Sequence, residues 1–197
     1  MPDGWEEVSS VEGVTSTAPS APLETERLLL RRLSAADAAD LFRTVGDPDV
    51  MRYWHPGPDV DLAAVRRRIA EIERHWRRHG FGDWGVVDKA DGELLGFAGL
   101  HHIVEMDEVN VGYALARSHW GRGLGSELVR FLLAYGLERL CLPEVVAVID
   151  PRNEASIALA VSGGLDLRER RLWRGHERLV YGISRVGRHE VERSSHV

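Results

Sequence analysis

The stretch Trp120-Gly121-Arg122-Gly123-Leu124-Gly125-Ser126 carries the most chemistry in this chain. Glycines at 121, 123 and 125 leave the backbone bare where a ligand would approach. The apolar pattern that follows, to about Leu140, predicts a helix. The first amide N–H groups of a helix lack intrahelical partners and stand at the positive end of its dipole. Such an end holds a phosphate or pyrophosphate, and Arg122 adds a charge-assisted donor. The bland alternative is a glycine-rich turn that serves only strand–helix packing. His101-His102 closes a predicted strand, and an imidazole there titrates near neutral pH. As a metal pair these histidines lack a third ligand at a recognisable spacing, so no metal is predicted.

The elements that position this loop follow from periodicity and turn residues. Leu62, Val65, Ile69, Ile72 and Trp76 are spaced 3, 4, 3, 4 and predict a helix over 61–79, with Gly80 as its stop. A shorter helix starts at an N-cap Ser34, carries Leu41, Phe42 and Val45, and ends at Gly46. Strands are predicted at 28–31, 84–87, 93–100, 109–115, 145–149, 167–173 and 177–183. Asp91-Gly92 and Arg174-Gly175-His176 are their turns. A last short helix runs over 153–162 and ends at Gly163-Gly164. The order of elements is that of an α/β (α+β mixed) fold rather than a regular βαβ repeat.

A dinucleotide fingerprint is nearly met by Gly121, Gly123 and Ser126, and Asp150 ends the later strand where a ribose-binding acid sits. It fails on position. Its first glycine directly follows a strand, whereas 116–120 intervene here, and too little parallel sheet remains downstream.

The chain has 197 residues, a formal charge of -6, 44% apolar and 28% charged residues, as an ordinary globular protein does. The polar residues 1–22 read as a disordered leader, 23–184 as one folded domain, and 185–197 as a flexible tail. Without a basic excess, nucleic acid is not an expected partner. No apolar run approaches the ~18 residues of a membrane span, and no signal-peptide pattern opens the chain, so a cytoplasmic protein is expected. Cys141 stands between Leu140 and Leu142 and reads as a small core hydrophobe.

Four blocks in order resemble the GNAT superfamily of N-acetyltransferases, in its RimJ/RimL-like (ribosomal-protein alanine acetyltransferase-like) branch. Trp120-Gly-Arg-Gly-Leu-Gly125 resembles the coenzyme A loop, with Trp in the first place. Leu23-Glu-Thr-Glu-Arg-Leu-Leu-Leu-Arg31, Val111-Gly-Tyr113 and Asp150-Pro-Arg-Asn-Glu-Ala-Ser156 resemble the opening strand, the central strand and the second cofactor motif. The resemblance implies a mixed, mostly antiparallel sheet of about seven strands, splayed between its fourth and fifth (109–115 and 145–149) and flanked by about four helices. It also implies acetyl-CoA as co-substrate, direct transfer to a small-molecule or peptide amine, and possible homodimers, as is common in the family. Pantetheine would bond backbone around Leu115 and Arg117, and pyrophosphate would meet the amides of Arg122, Gly123, Leu124, Gly125 and Ser126.

Several single residues take roles from the resemblance. Asn153 would bond the pantetheine arm, or serve only as an N-cap. Ser156 would lie near the sulfur and relay a proton, or merely satisfy helix backbone. A glutamate often precedes the central triplet, where this chain has Asn110. Glu108, two residues earlier on the same strand face, is the substitute base, or else a solvated carboxylate. Tyr53, Trp54 and His55 fall in a loop that borders the acceptor pocket in the family, with core packing an equal reading of the two aromatics, and His101 is a further substrate-binding candidate; Tyr113 reads as packing rather than as a general acid. A non-catalytic acetyl-CoA sensor is the alternative function that Asn110 suggests.

Overall fold

In the computed structural model, residues 22–185 are described. Apart from Pro22 and Arg185, the expected leader and tail lie outside the described residues. The chain order is β1 (Leu23–Glu24), β2 (Leu28–Arg31), a 3-10 turn (Ala35–Asp37), α1 (Ala38–Val45), α2 (Leu62–His79), β3 (Asp83–Asp88), β4 (Leu94–Ile103) and β5 (Glu108–Leu115). A 3-10 turn (Arg117–His119), α3 (Leu124–Ala134), a π turn (Tyr135–Arg139), β6 (Glu144–Ile149), α4 (Glu154–Ser162), β7 (Asp166–Trp173) and β8 (His176–Ser184) complete it. The expected helix over 123–140 therefore changes to wider winding at Tyr135, where the Leu140 N–H donates to the Tyr135 carbonyl five residues back.

All eight strands join one sheet in the order β1-β2-β3-β4-β5-β6-β8-β7. Every neighbouring pair is antiparallel except β5 and β6, which run parallel and meet in register only at Asn110 and Val146. Two-residue β1 is the strand beyond the expected seven; it is an edge piece too short to show alternation.

Helix α2 forms where its pattern requires. The Asp61 side chain accepts the Ala64 N–H at 2.7 Å, and Gly80 closes the helix with φ +74. Its stripe buries Val65, Ile69, Ile72 and Trp76, while Leu62 at the first turn stays exposed. Trp76 meets Trp84 edge-on at 4.8 Å, and its indole N–H donates to the Asp83 carbonyl at 2.8 Å. That bond fastens α2 over the start of β3. Leu28, Leu30, Leu95, Phe97 and Leu128 are also fully buried, so the sheet and its helices share one core. No described helix is long and apolar enough to cross a membrane.

Cys141 is not a core residue. It is exposed with φ +55, between buried Leu140 and Leu142. The chain turns there, so the apolar neighbours point inward and the thiol outward.

Candidate active site

Strands β5 and β6 part immediately after their one paired position. Beyond it, the Asn110 side chain takes over as spacer: its Oδ1 accepts the Val148 N–H at 2.8 Å. Asn110 is buried, so this bond seals one end of the split. A cavity of about 1050 Å³ opens at the split, with Asn110, Val111, Gly112 and Tyr113 from β5 in its wall. Ala147, Val148 and Ile149 come from β6, and Ser156 and Leu159 from α4. Tyr53, Trp54, His55, His101 and Asn153 line it as well, so the four expected acceptor-side residues share one cavity.

Asn153 caps α4: its Oδ1 accepts the Ser156 N–H at 3.2 Å. The Ser156 hydroxyl lies 3.1 Å from the Tyr113 hydroxyl, so a hydrogen-bonded pair of O–H groups faces the cavity. Burial pushes the Tyr113 phenol above its ordinary range. The sequence favours packing over a general-acid role for Tyr113, because its partner is 43 residues away and nothing local announces it.

The glycine loop stands beside this cavity, not in its wall. Gly121 and Gly123 have φ of +72 and +78, a backbone that side chains rarely adopt. A Cβ on Gly121 would meet nothing within 4 Å, and one on Gly123 would meet only the Arg27 guanidinium at 3.5 Å. The loop is thus open to an anion and not covered by the protein's own packing. Gly123 is the N-cap of α3, which leaves the amides of Leu124, Gly125 and Ser126 without intrahelical acceptors. Arg27 steadies the loop by donating to the Arg122 carbonyl at 2.8 Å and to Glu127 at 2.7 Å. Gly125 links loop and cavity: a Cβ there would lie 3.0 Å from Leu159 and 3.9 Å from Tyr113.

A bare loop, a helix start and a split strand pair give an acyl carrier with a pyrophosphate a place to lie. The match to known sequences decides between this and a nucleotide-binding fold. Residues 27–166 match the family model described as an acetyltransferase (GNAT) domain. The chain belongs to the GNAT acetyltransferase family. It is 33% identical over 157 residues to the "uncharacterized N-acetyltransferase p20" of Bacillus licheniformis, covering 79% of this chain and 87% of that one. It is 35% identical to the "uncharacterized protein YkkB" of Bacillus subtilis (strain 168), covering 73% and 84%. A solved acetyltransferase from Agrobacterium tumefaciens str. C58 superposes with TM-score 0.72 at 27% identity, over 91% of this chain and 99% of that one.

Other residues singled out from the sequence fall as follows in this GNAT fold. Trp120 is half exposed and its indole N–H donates to the Leu115 carbonyl at 2.8 Å, so that carbonyl already has a partner. Arg117 pairs with Asp49 and reaches Asp47 at 3.9 Å, which ties the end of β5 to the segment after α1. Glu108 faces Arg171 of β7, whose Nη atoms stand 3.2 and 3.3 Å from its two oxygens, and Glu108 does not line the cavity.

Proposed function

We propose that this GNAT enzyme transfers an acetyl group from acetyl-CoA directly to a primary amine, either a protein N-terminus or a small molecule. The Trp-led loop at 120–125 and the opening block at 23–31 support the RimJ/RimL-like branch. The observation that carries the reading is the open glycine loop leading, through Gly125, to a cavity at a strand split.

Bound acetyl-CoA supplies an activated acetyl group and a thiol leaving group. The amides from Arg122 to Ser126 hold its pyrophosphate, with Arg27 and Arg122 as nearby cations. Asn153 and the backbone around Leu115 and Arg117 orient the arm that enters the split. Tyr113 and Ser156 form the hydroxyl pair that donates a proton toward the leaving sulfur. Tyr53 and Trp54 hold the amine on the opposite side, close enough to the thioester for direct attack.

The test is binding of acetyl-CoA by calorimetry, followed by thiol release across a panel of amines and short peptides. Binding in the micromolar range and thiol release with at least one amine are expected. Gly123→Glu should abolish binding, because a carboxylate would face the pyrophosphate at a strained φ of +78. No binding at high micromolar acetyl-CoA defeats the proposal. Binding without release from any amine would favour the sensor reading.

A further inference from the structure

Two buried polar atoms on neighbouring strands lack any hydrogen-bond partner and face each other: Asp83 Oδ1 at the start of β3 and His101 Nδ1 on β4. They are 4.0 Å apart. Both residues keep some exposure elsewhere, but these two atoms are sealed from solvent. Gly99, the register partner of Asp83, makes the approach possible. A Cβ on Gly99 would lie 2.7 Å from Asp83 Oδ1, so the carboxylate uses space that only glycine leaves. Residue 101 follows on the same face of β4.

The tautomer of His101 follows from its other neighbour. Asn110 is its register partner, and Asn110 Oδ1 is committed to the Val148 N–H. The amide nitrogen therefore faces His101 Nε2, at 3.4 Å. An amide nitrogen only donates, so Nε2 carries a lone pair and the ring proton sits on Nδ1, toward Asp83. The long Asn110 contact is a weak hold on that lone pair. Beside it, Gly112 leaves the cavity wall bare: a Cβ there would stand 3.2 Å from Trp54, 3.3 Å from the His101 ring and 3.5 Å from the Asn110 amide nitrogen. Those three side chains pack closely over the Gly112 backbone, and His101 is among the residues that line the cavity.

We propose that His101, where it lines the cavity, takes the proton from the acceptor ammonium, with Asp83 as the positioning residue behind it. The inference rests on the acetyl transfer proposed above. One N–H bond of the ammonium breaks as Nε2–H forms, and that proton passes on to solvent. The freed electron pair makes the N–C bond to the acetyl carbon. The C–S bond breaks with its pair on sulfur, which takes a proton from the Tyr113–Ser156 hydroxyl pair, and the second proton of the nitrogen passes back to that pair. The imidazolium formed midway has its Nδ1–H toward the Asp83 carboxylate, which stabilises it.

Burial pushes the Asp83 carboxyl up to about 7 and holds His101 down at about 4, so the imidazole is neutral and its lone pair free near neutral pH. The charged or titratable groups around them are Arg68 and His75 from α2 and His102 from β4. Below about 7 Asp83 gains a proton and ceases to favour the imidazolium. The rate should therefore rise with pH through about 7, and Asp83→Asn should remove that limb.

The experiment has a ligand-free arm and a kinetic arm. Nitrogen NMR of histidine-labelled protein at pH 8, assigned with His101→Gln, should show His101 protonated on Nδ1 and bare on Nε2. With an amine found by thiol release, His101→Ala should lower kcat about 100-fold or more, leave the Kd for acetyl-CoA within about twofold, and regain rate with added imidazole. His101→Gln, which keeps the bulk, should lose rate likewise if the alanine variant folds poorly. An Nε2-protonated ring overturns the assignment, as does either variant turning over within about threefold of the parent, well short of the base contribution. Failure of the parent to bind acetyl-CoA overturns the transfer reading itself, and binding with no transfer to any amine overturns both.

Discussion

Gly112 is where a single methyl group should separate acceptor chemistry from cofactor binding. A Cβ there would stand 3.2 Å from Trp54 and 3.3 Å from His101, closer than a new methyl is accommodated without some yielding. Trp54 is held edge-on against Phe97 at 5.1 Å, so it does not yield freely. Overpacking of this kind costs about 1–3 kcal/mol. Gly112→Ala is expected to reduce kcat/KM for the amine about tenfold, the equivalent of ~1.4 kcal/mol, with the acetyl-CoA affinity retained. Steady-state kinetics beside calorimetry would check both halves. A matching loss of cofactor affinity would place this spot under the pantetheine arm instead. The same residue-scale reasoning explains why Glu108 was attractive from sequence and Asn110 was not. Period two put both on one face, but only the structure shows Arg171, 63 residues on, against the carboxylate.

At the scale of elements, the split between β5 and β6 depends on one side chain. After the Asn110–Val146 pair the ladder stops, and the next amide, that of Val148, is satisfied by Asn110 Oδ1 at 2.8 Å. Asn110→Ala removes that acceptor and leaves a part-buried N–H to find another. Loss of such a bond costs about 1–3 kcal/mol, or roughly 2–12 °C for a chain of this size. Thermal denaturation should show that drop, and an unchanged melting temperature would mean the strands are held apart by something other than this amide. The elements themselves were largely legible. Asp61 and Gly80 bracket α2, Asn153 caps α4, and the 3, 4, 3, 4 spacing selects the side of α2 that is buried. All of these are local signals within a turn or two. What could not be read depends on register across strands. Asp83 reaches His101 because Gly99 sits opposite it, and Tyr113 reaches Ser156 across the split. Cys141 misled because its flanking leucines are buried, while a positive φ at that residue turns its own side chain outward.

For the whole molecule, the balance of buried ionisable groups sets how stability varies with pH. Burial holds His75, His79 and His101 at about 4 in the folded protein, against 6.5 for an ordinary histidine. A depressed value means that the unfolded chain takes up protons first, so the stability present above 6.5 is lost as pH falls toward 4. Asp83 acts in the opposite sense. Its folded value of about 7 lies above the ordinary 3.8, so it favours the fold at low pH and costs stability as pH rises through 7. Three histidines outweigh one carboxyl between 6.5 and 4. Asp150, held at about 2 chiefly by its hydrogen bonds from Arg152, and Asp37, lowered by Arg31, add a further loss below 3.8. The melting temperature is therefore expected to peak near neutral pH and to fall steadily on acidification. His79 isolates the histidine contribution. Its ring lies tilted between those of His75 at 4.5 Å and His102 at 5.2 Å, beside Phe81. His79→Phe keeps a ring in that cluster and removes its titration, so the fall between pH 6.5 and 4 should become shallower than in the parent. Thermal melts across that range would measure it, and parallel curves for the two proteins would show that the His79 ring is as well solvated in the folded state as in the unfolded chain.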